Sequence, residues 1–193
     1  GVRFRPDGAR AFLGCDLDAA TDRKLDLAAL HGEVAVALGK VAREEGQSRL
    51  AADLAQDYVE ARLAGARIDG VVRQAVTRMF AGEEARRPEG VSERQYQRRF
   101  RSEVGVSPRM LRSILRFRSV FDAIEHPENV RWVQTALGAG YFDQPQMARD
   151  FRRFLGCTAR EWAAQPRGLA LALTQPAQSP ESLSDSYKKG EPA

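Results

Sequence analysis

Between Val91 and Trp162 the chain writes one short pattern twice. SERQYQRRFRSEVGVSP runs from Ser92 to Pro108, and DQPQMARDFRRFLGCTA runs from Asp143 to Ala159, fifty-one residues later and without a gap. Gln95 falls on Gln146, Arg98 on Arg149, Phe100 on Phe151, Arg101 on Arg152, Gly105 on Gly156, Ser107 on Thr158 and Leu111 on Trp162. Apolar and polar positions that match at a fixed period mark a duplicated structural unit, and two similar units imply two similar tasks. In each copy the apolar residues recur at helical spacing: Tyr96, Phe100 and Val104 in the first, Met147, Phe151 and Leu155 in the second. Opposite these stripes the first copy presents Arg94, Gln97, Arg98 and Arg101, and the second presents Gln146, Arg149 and Arg153.

The surroundings of each copy predict how its helix begins and ends. Ser92 and Asp143 are N-cap residues, and Gly105 and Gly156 stop the helices. Ser107 caps a further helix with Pro108 at its first position, and Leu111, Ile114, Leu115, Phe121 and Ile124 carry it toward His126-Pro127. Such a helix of about seventeen residues spans roughly 26 Å. Ahead of the second copy, WVQTALGAGYFDQPQ predicts a helix over 131–137 and a turn through Gly138 and Gly140. Ala136 and Gly140 are the small residue and turn glycine that let two helices approach closely.

Charge points to a partner. The net charge is only +4, but eight arginines (94, 98, 99, 101, 109, 112, 116 and 118) stand against Glu93 and Glu103 between Ser92 and Arg118. A charge run by itself is usually a solvated face; set in a repeat with turn glycines it reads as the footprint of a polyanion. Gln and Arg have forked groups that match the major-groove edges of adenine and guanine. Arg112 and Arg116 lie one turn apart on the polar face of the connecting helix and are candidates for phosphate contacts. The chain carries no P-loop, dinucleotide turn, metal-ligand cluster or nucleophile with a nearby histidine, so no catalytic residue, metal or cofactor is expected. Cys15 and Cys157 read as packing residues and His31 and His126 as inert. No run is long enough for a membrane span and no leader is evident, which makes a reduced cytoplasmic setting the expectation.

The front half is helical by pattern. GVRFRPDGARAFLG reads as a strand over Val2–Arg5, a turn and a short apolar helix. A lone strand without a partner suggests that a β domain precedes it. Leu27, Leu30, Val34, Leu38 and Val41 form one stripe, and Leu50, Leu54, Tyr58, Ala61 and Leu63 a second, broken near Gly46 and expected to pair as a helical hairpin. Ile68, Val71, Val72, Ala75, Val76, Met79 and Phe80 predict a third, core-facing helix. Past Trp162 comes a short apolar segment over Leu169–Leu173, and the Pro/Ser/Glu-rich tail after it reads as disordered.

GVSERQYQRRFRSEVGVSPRML and ALGAGYFDQPQMARDFRRFLGCTAREW resemble the DNA-binding half of the AraC/XylS class of bacterial transcription regulators, over about half of the chain from Ile68 to Trp162. That class carries two helix-turn-helix units on a long connecting helix. The resemblance implies an all-α fold, preceded by a short strand and a helical hairpin left from a sensor domain, with 1–66 as sensor remnant, 67–166 as the DNA-binding domain and 167–193 as tail. It places base-reading positions on Arg94, Gln97, Arg98, Gln146 and Arg149, with Arg101, Arg112, Arg116, Arg152 and Arg153 on phosphates. Implied partners are double-stranded DNA and RNA polymerase; a homodimer is compatible with it, and the effector of the sensor is left open. GVRFRPDGARAFLG with TDRKLDLAALHG resembles, more loosely, the end of an AraC-like sensor domain.

One segment departs from the class. Where the first unit needs a helix with a small residue four before the turn glycine, the chain has GEEARRPEG, with Arg86 at the small position and Pro88 inside the expected helix. Proline removes a helix hydrogen bond and disfavours helical geometry at Arg87, so this support should be one turn or irregular. The expectation is a sequence-specific regulator whose two reading helices lie parallel on one face, about 34 Å apart. The competing one is a non-enzymatic regulator fragment that acts through protein contacts with a degenerate first unit.

Overall fold

A computed structural model describes residues 3–44, 46–84, 86–124 and 130–164. Among the described residues there are eleven helices and no strand. Arg3 to Arg5 are irregular chain, in place of the expected strand, as a single strand has no ladder to join. The proposed segment over Leu169–Leu173, the tail and His126-Pro127 lie outside the described residues. No described helix is long and apolar enough to cross a membrane. The chain divides into two compact units, Gly1–Arg112 and Ser113–Ala193.

The first unit opens with α1 (Ala9–Leu13), which follows a turn closed by the Gly8 amide on the Arg5 carbonyl, and α2 (Leu17–Ala20). The first expected stripe is cut in two, α3 (Leu27–His31) and α4 (Glu33–Val41), because Gly32 takes φ +58° between them. Next comes α5 (Ser48–Ala64), which packs on α4 and α1. Burial here is shallower than the spacing predicts: Leu27, Leu30, Val34, Leu50 and Leu54 stay exposed, and only Ala51 of α5 is buried. Phe12 is buried where it stacks on Phe4 and His31, and His31 Nδ1 lies 2.9 Å from the Tyr58 hydroxyl.

Then α6 (Gly70–Phe80) buries Val72, Ala75, Val76 and Met79, as its spacing predicts, while Phe80 remains exposed. Asp69 caps α6 by accepting from the Val71 and Val72 amides and receives the Arg99 guanidinium at 2.7 and 2.8 Å. From Ala81 to Ser92 no described residue is helical. The unit continues with α7 (Glu93–Val104) and the first turn of α8 (Pro108–Asp122), where the Ser107 hydroxyl accepts from the Met110 amide.

The second unit holds the remainder of α8, α9 (Trp132–Gly138), α10 (Gln144–Leu155) and α11 (Ala159–Ala163). Its core is Phe117, Val120, Ala136, Ala139, Tyr141, Met147 and Phe151, with Phe121, Trp132, Phe154 and Trp162 packed around it. Phe151 is fully buried and meets Phe117 and Trp132 edge-on at 4.9 and 5.8 Å between centroids, a geometry that favours aromatic pairs beyond area alone. Between α9 and α10 the Tyr141 amide returns to the Ala136 carbonyl at 2.9 Å, and Gly140 takes φ +78°, which closes a tight helix-turn-helix.

Candidate nucleic-acid interface

The two copies build their helix starts alike. Ser92 accepts from the Gln95 amide, and the Gln95 side chain accepts in return from the Ser92 amide, a full capping box. Asp143 accepts from the Gln146 amide at 2.7 Å, and Gln146 Oε1 accepts from the Phe142 amide at 3.2 Å. Gln146, an expected base reader, therefore also closes the start of α10, a role its repeat partner Gln95 shares. Phe100 and Phe151 are both fully buried, which turns the opposite face of each helix outward.

On that face Arg94, Arg98 and Arg101 of α7 and Arg149 of α10 are exposed and make no hydrogen bond or ion pair to any described residue. Gln97 is half-buried and donates to Glu93 Oε1 at 2.7 Å. Arg152 is exposed, and the exposed Arg153 has its guanidinium 5.4 Å from the Phe154 ring centroid. A free guanidinium has no partner to give up when it is recruited, whereas one already paired must first lose its own.

The two linker arginines differ. Arg112 is exposed, and it lines a concave surface together with Arg87, Gln97, Arg101 and Arg109. Arg116 instead donates to Asp150 Oδ2 at 3.2 Å and lies 4.4 Å over the Tyr141 ring, while the Tyr141 hydroxyl donates to the same Asp150 oxygen at 2.9 Å. Burial first, and then the hydrogen bond to Asp150, push the Tyr141 hydroxyl far above its ordinary range. This closed trio binds α8, the turn and α10 together within the second unit. Its only sequence signal was an aspartate at a helical position that the apolar pattern calls buried, since Asp150 comes between Met147 and Phe151.

A different support serves the first unit. With no helix between α6 and α7, α7 rests on α2, α1 and α6. Arg10 joins Glu103 at 2.7 Å and Asp16 at 2.9 Å, and Asp16 accepts from the Ser102 hydroxyl at 2.7 Å. The Ser102 hydroxyl, followed by Arg10, holds the Asp16 carboxyl below its ordinary value. At Asp69, burial pushes the carboxyl up, but the Arg99 fork and the Val71 and Val72 amides more than reverse this and leave it low. Asp16 and Asp18 border an open cleft whose other wall is Arg94, Gln97, Arg98 and Arg101. No sequence motif links this wall to α7, because its residues are more than seventy positions away in the chain.

Residues 87–165 match the family model of a helix-turn-helix domain, of the AraC type found in DNA-binding transcription regulators. The matched segment begins just ahead of α7 and covers less than half of the chain. No curated protein and no solved structure matches the chain.

Proposed function

We propose that the chain is a sequence-specific transcription regulator that reads two adjacent major-groove segments, one with α7 and one with α10. The observation that carries this reading is the pair Arg98 and Arg149: same position of the repeat, both exposed, both unpaired among the described residues, each opposite a fully buried phenylalanine. A free guanidinium on the outer face of a capped, well-seated helix is the group that reads guanine O6 and N7 with two parallel hydrogen bonds. Arg94, Gln97 and Gln146 complete the base-reading set. Arg101, Arg112, Arg152 and Arg153 hold phosphates, and Arg116 is assigned to fixing α8 against the second unit through Asp150 and Tyr141.

The matched helix-turn-helix model supports DNA as the partner. A regulator with two reading helices expects a bipartite site with half-sites about one turn apart, roughly 34 Å. A cytoplasmic location and contact with RNA polymerase belong to the same proposal. The rival reading, a non-enzymatic fragment acting through proteins, draws on one observation: no described residue ahead of α7 forms the usual supporting helix. Selection of duplexes from a random pool by the full chain, followed by gel shifts across a salt series, separates the two. The DNA reading expects an enriched bipartite site and a log affinity that falls steeply and linearly with log salt. An unenriched pool sinks it.

A further inference from the structure

We propose that the segment Ala9–Thr21 is the supporting element of the first reading helix, and that its carboxylates set how strongly that helix holds DNA. The inference rests on the DNA reading above and adds residues that the reading does not use.

A reading helix needs a neighbour that fixes its axis, because a base contact tolerates little displacement. In the second unit that neighbour is α9, immediately before the turn. In the first unit no described residue from Ala81 to Ser92 provides one, and α2 occupies the role from the far end of the unit. The contact is close. Leu17 is buried, and the Thr21 hydroxyl lies 2.8 Å from both the Gly105 and the Leu17 carbonyl oxygens, a donor shared between the end of α7 and α2 itself. Gly105 takes φ +84°, and a Cβ there would stand 2.6 Å from Thr21 Oγ1 and 3.2 Å from the Leu17 carbonyl. At the repeat-equivalent Gly156, a Cβ would meet nothing within 4 Å. The Arg10–Glu103 pair and the Ser102–Asp16 hydrogen bond add polar ties along the same seam.

The seat brings charge with it. Asp16 is occupied by Arg10 and Ser102, but Asp18 is exposed, makes no hydrogen bond to any described residue, and borders the cleft with Arg94 and Arg98. A phosphate backbone entering that cleft meets the carboxylates of Asp16 and Asp18 together with the guanidiniums. On the other side lie Arg87, Arg109 and Arg112, without an acidic residue except Glu93. The asymmetry directs the duplex toward the α8 side of α7 and keeps its grip on the α2 side weak.

Two measurements on the full chain test this. In the first, hydrogen exchange compares the parent with Thr21→Val and Leu17→Ala: amides of α7 should exchange at least several-fold faster in both, with α10 unchanged. Unchanged α7 protection in both variants would overturn the supporting role, whether or not the chain binds DNA. In the second, gel shifts on a duplex selected by the parent compare Asp18→Asn and Asp18→Lys. Removing one unit of repulsion across about 8 Å of water should tighten binding roughly two- to threefold at low salt, and the reversal should tighten it more, both gains fading as salt rises. A gain is what a merely structural residue would not produce. Equal or weaker binding by both variants would overturn the role of the carboxylates, whereas failure of the parent to bind any selected duplex would overturn the DNA reading itself.

Discussion

Gly105 and Gly156 hold the same position in the repeat, end the same kind of helix and take similar φ, +84° and +70°. Replacing either with alanine puts a Cβ into the left-handed region at about 1 to 2 kcal/mol. For Gly156 that is the whole cost, because the added methyl enters open space. For Gly105 the methyl lands 2.6 Å from Thr21 Oγ1 and 3.2 Å from a backbone carbonyl. Thr21 can rotate away only by giving up its hydrogen bond, about 1 kcal/mol, and α2 must shift to clear the carbonyl, an overpacking cost of about 1 to 3 kcal/mol. Gly105→Ala should therefore cost about 2 to 4 kcal/mol more than Gly156→Ala in urea titrations. The Thr21→Ala, Gly105→Ala double variant should recover about half of that excess, since the nearest atom is then gone. Hydrogen exchange should localise the loss to α2 and α7. Equal costs for the two glycines, or strict additivity with Thr21→Ala, would refute the seating of α7 on α2.

Arg98→Ala and Arg149→Ala should each weaken binding by about 1 to 3 kcal/mol and relax base preference within one half of the selected site only, as read by binding selection on each variant. Arg112→Ala should flatten the slope of log affinity against log salt by about one unit, whereas Arg116→Ala should leave the slope nearly unchanged and lower the unfolding midpoint, because its partner Asp150 is left buried without its cation. His31 has its pKa lowered by burial first and by the nearby Arg62 second, so the folded state prefers the neutral ring. Its contribution is complete above the unfolded value near 6.5 and is lost as pH falls through the lower folded value; urea midpoints should drop over that window in the parent and much less in His31→Gln.

What the sequence made legible was local. Caps at Ser92, Ser107 and Asp143, the glycines after both reading helices, the buried stripe of α6 and the buried Tyr96, Phe100, Met147 and Phe151 of α7 and α10 all follow from spacing and from short side-chain-to-backbone reach, which act within four residues, while Val104 and Leu155 of the same stripes stay half-buried. The irregular stretch before α7 was readable from Pro88 for the same reason. Long-range partners were not readable. Nothing in GARAFLGCDLDAAT says that Leu17 and Thr21 will meet Gly105, because no period links positions that far apart. The hairpin stripes of α3 to α5 show the converse: a correct helical period says which face is apolar but not whether another element covers it, and Leu27, Leu30 and Leu54 remain exposed.

Gln146 brings the local and the long-range readings into conflict at one side chain. Its carbonyl oxygen accepts from the Phe142 amide, which leaves one lone pair and the amide nitrogen to meet a base edge. It can donate to adenine N7, guanine O6 or thymine O4, and the donor-and-acceptor fork that marks adenine requires its oxygen to accept from adenine N6 on the lone pair that the Phe142 amide leaves open. Gln146→Glu separates the two roles, because a carboxylate still accepts from Phe142 and gains from the positive end of the helix, about 0.3 to 1 kcal/mol, yet has no donor for a base. The same change at Gln95 inserts the same charge at the same distance from its helix start without removing a proposed base contact. Gln146→Glu should hold or raise the unfolding midpoint and lose clearly more affinity than Gln95→Glu on the selected duplex, with the loss confined to one base pair in a single-position substitution scan. Equal losses from the two variants would mean that Gln146 only caps α10, and that the second unit reads through Arg149 without it.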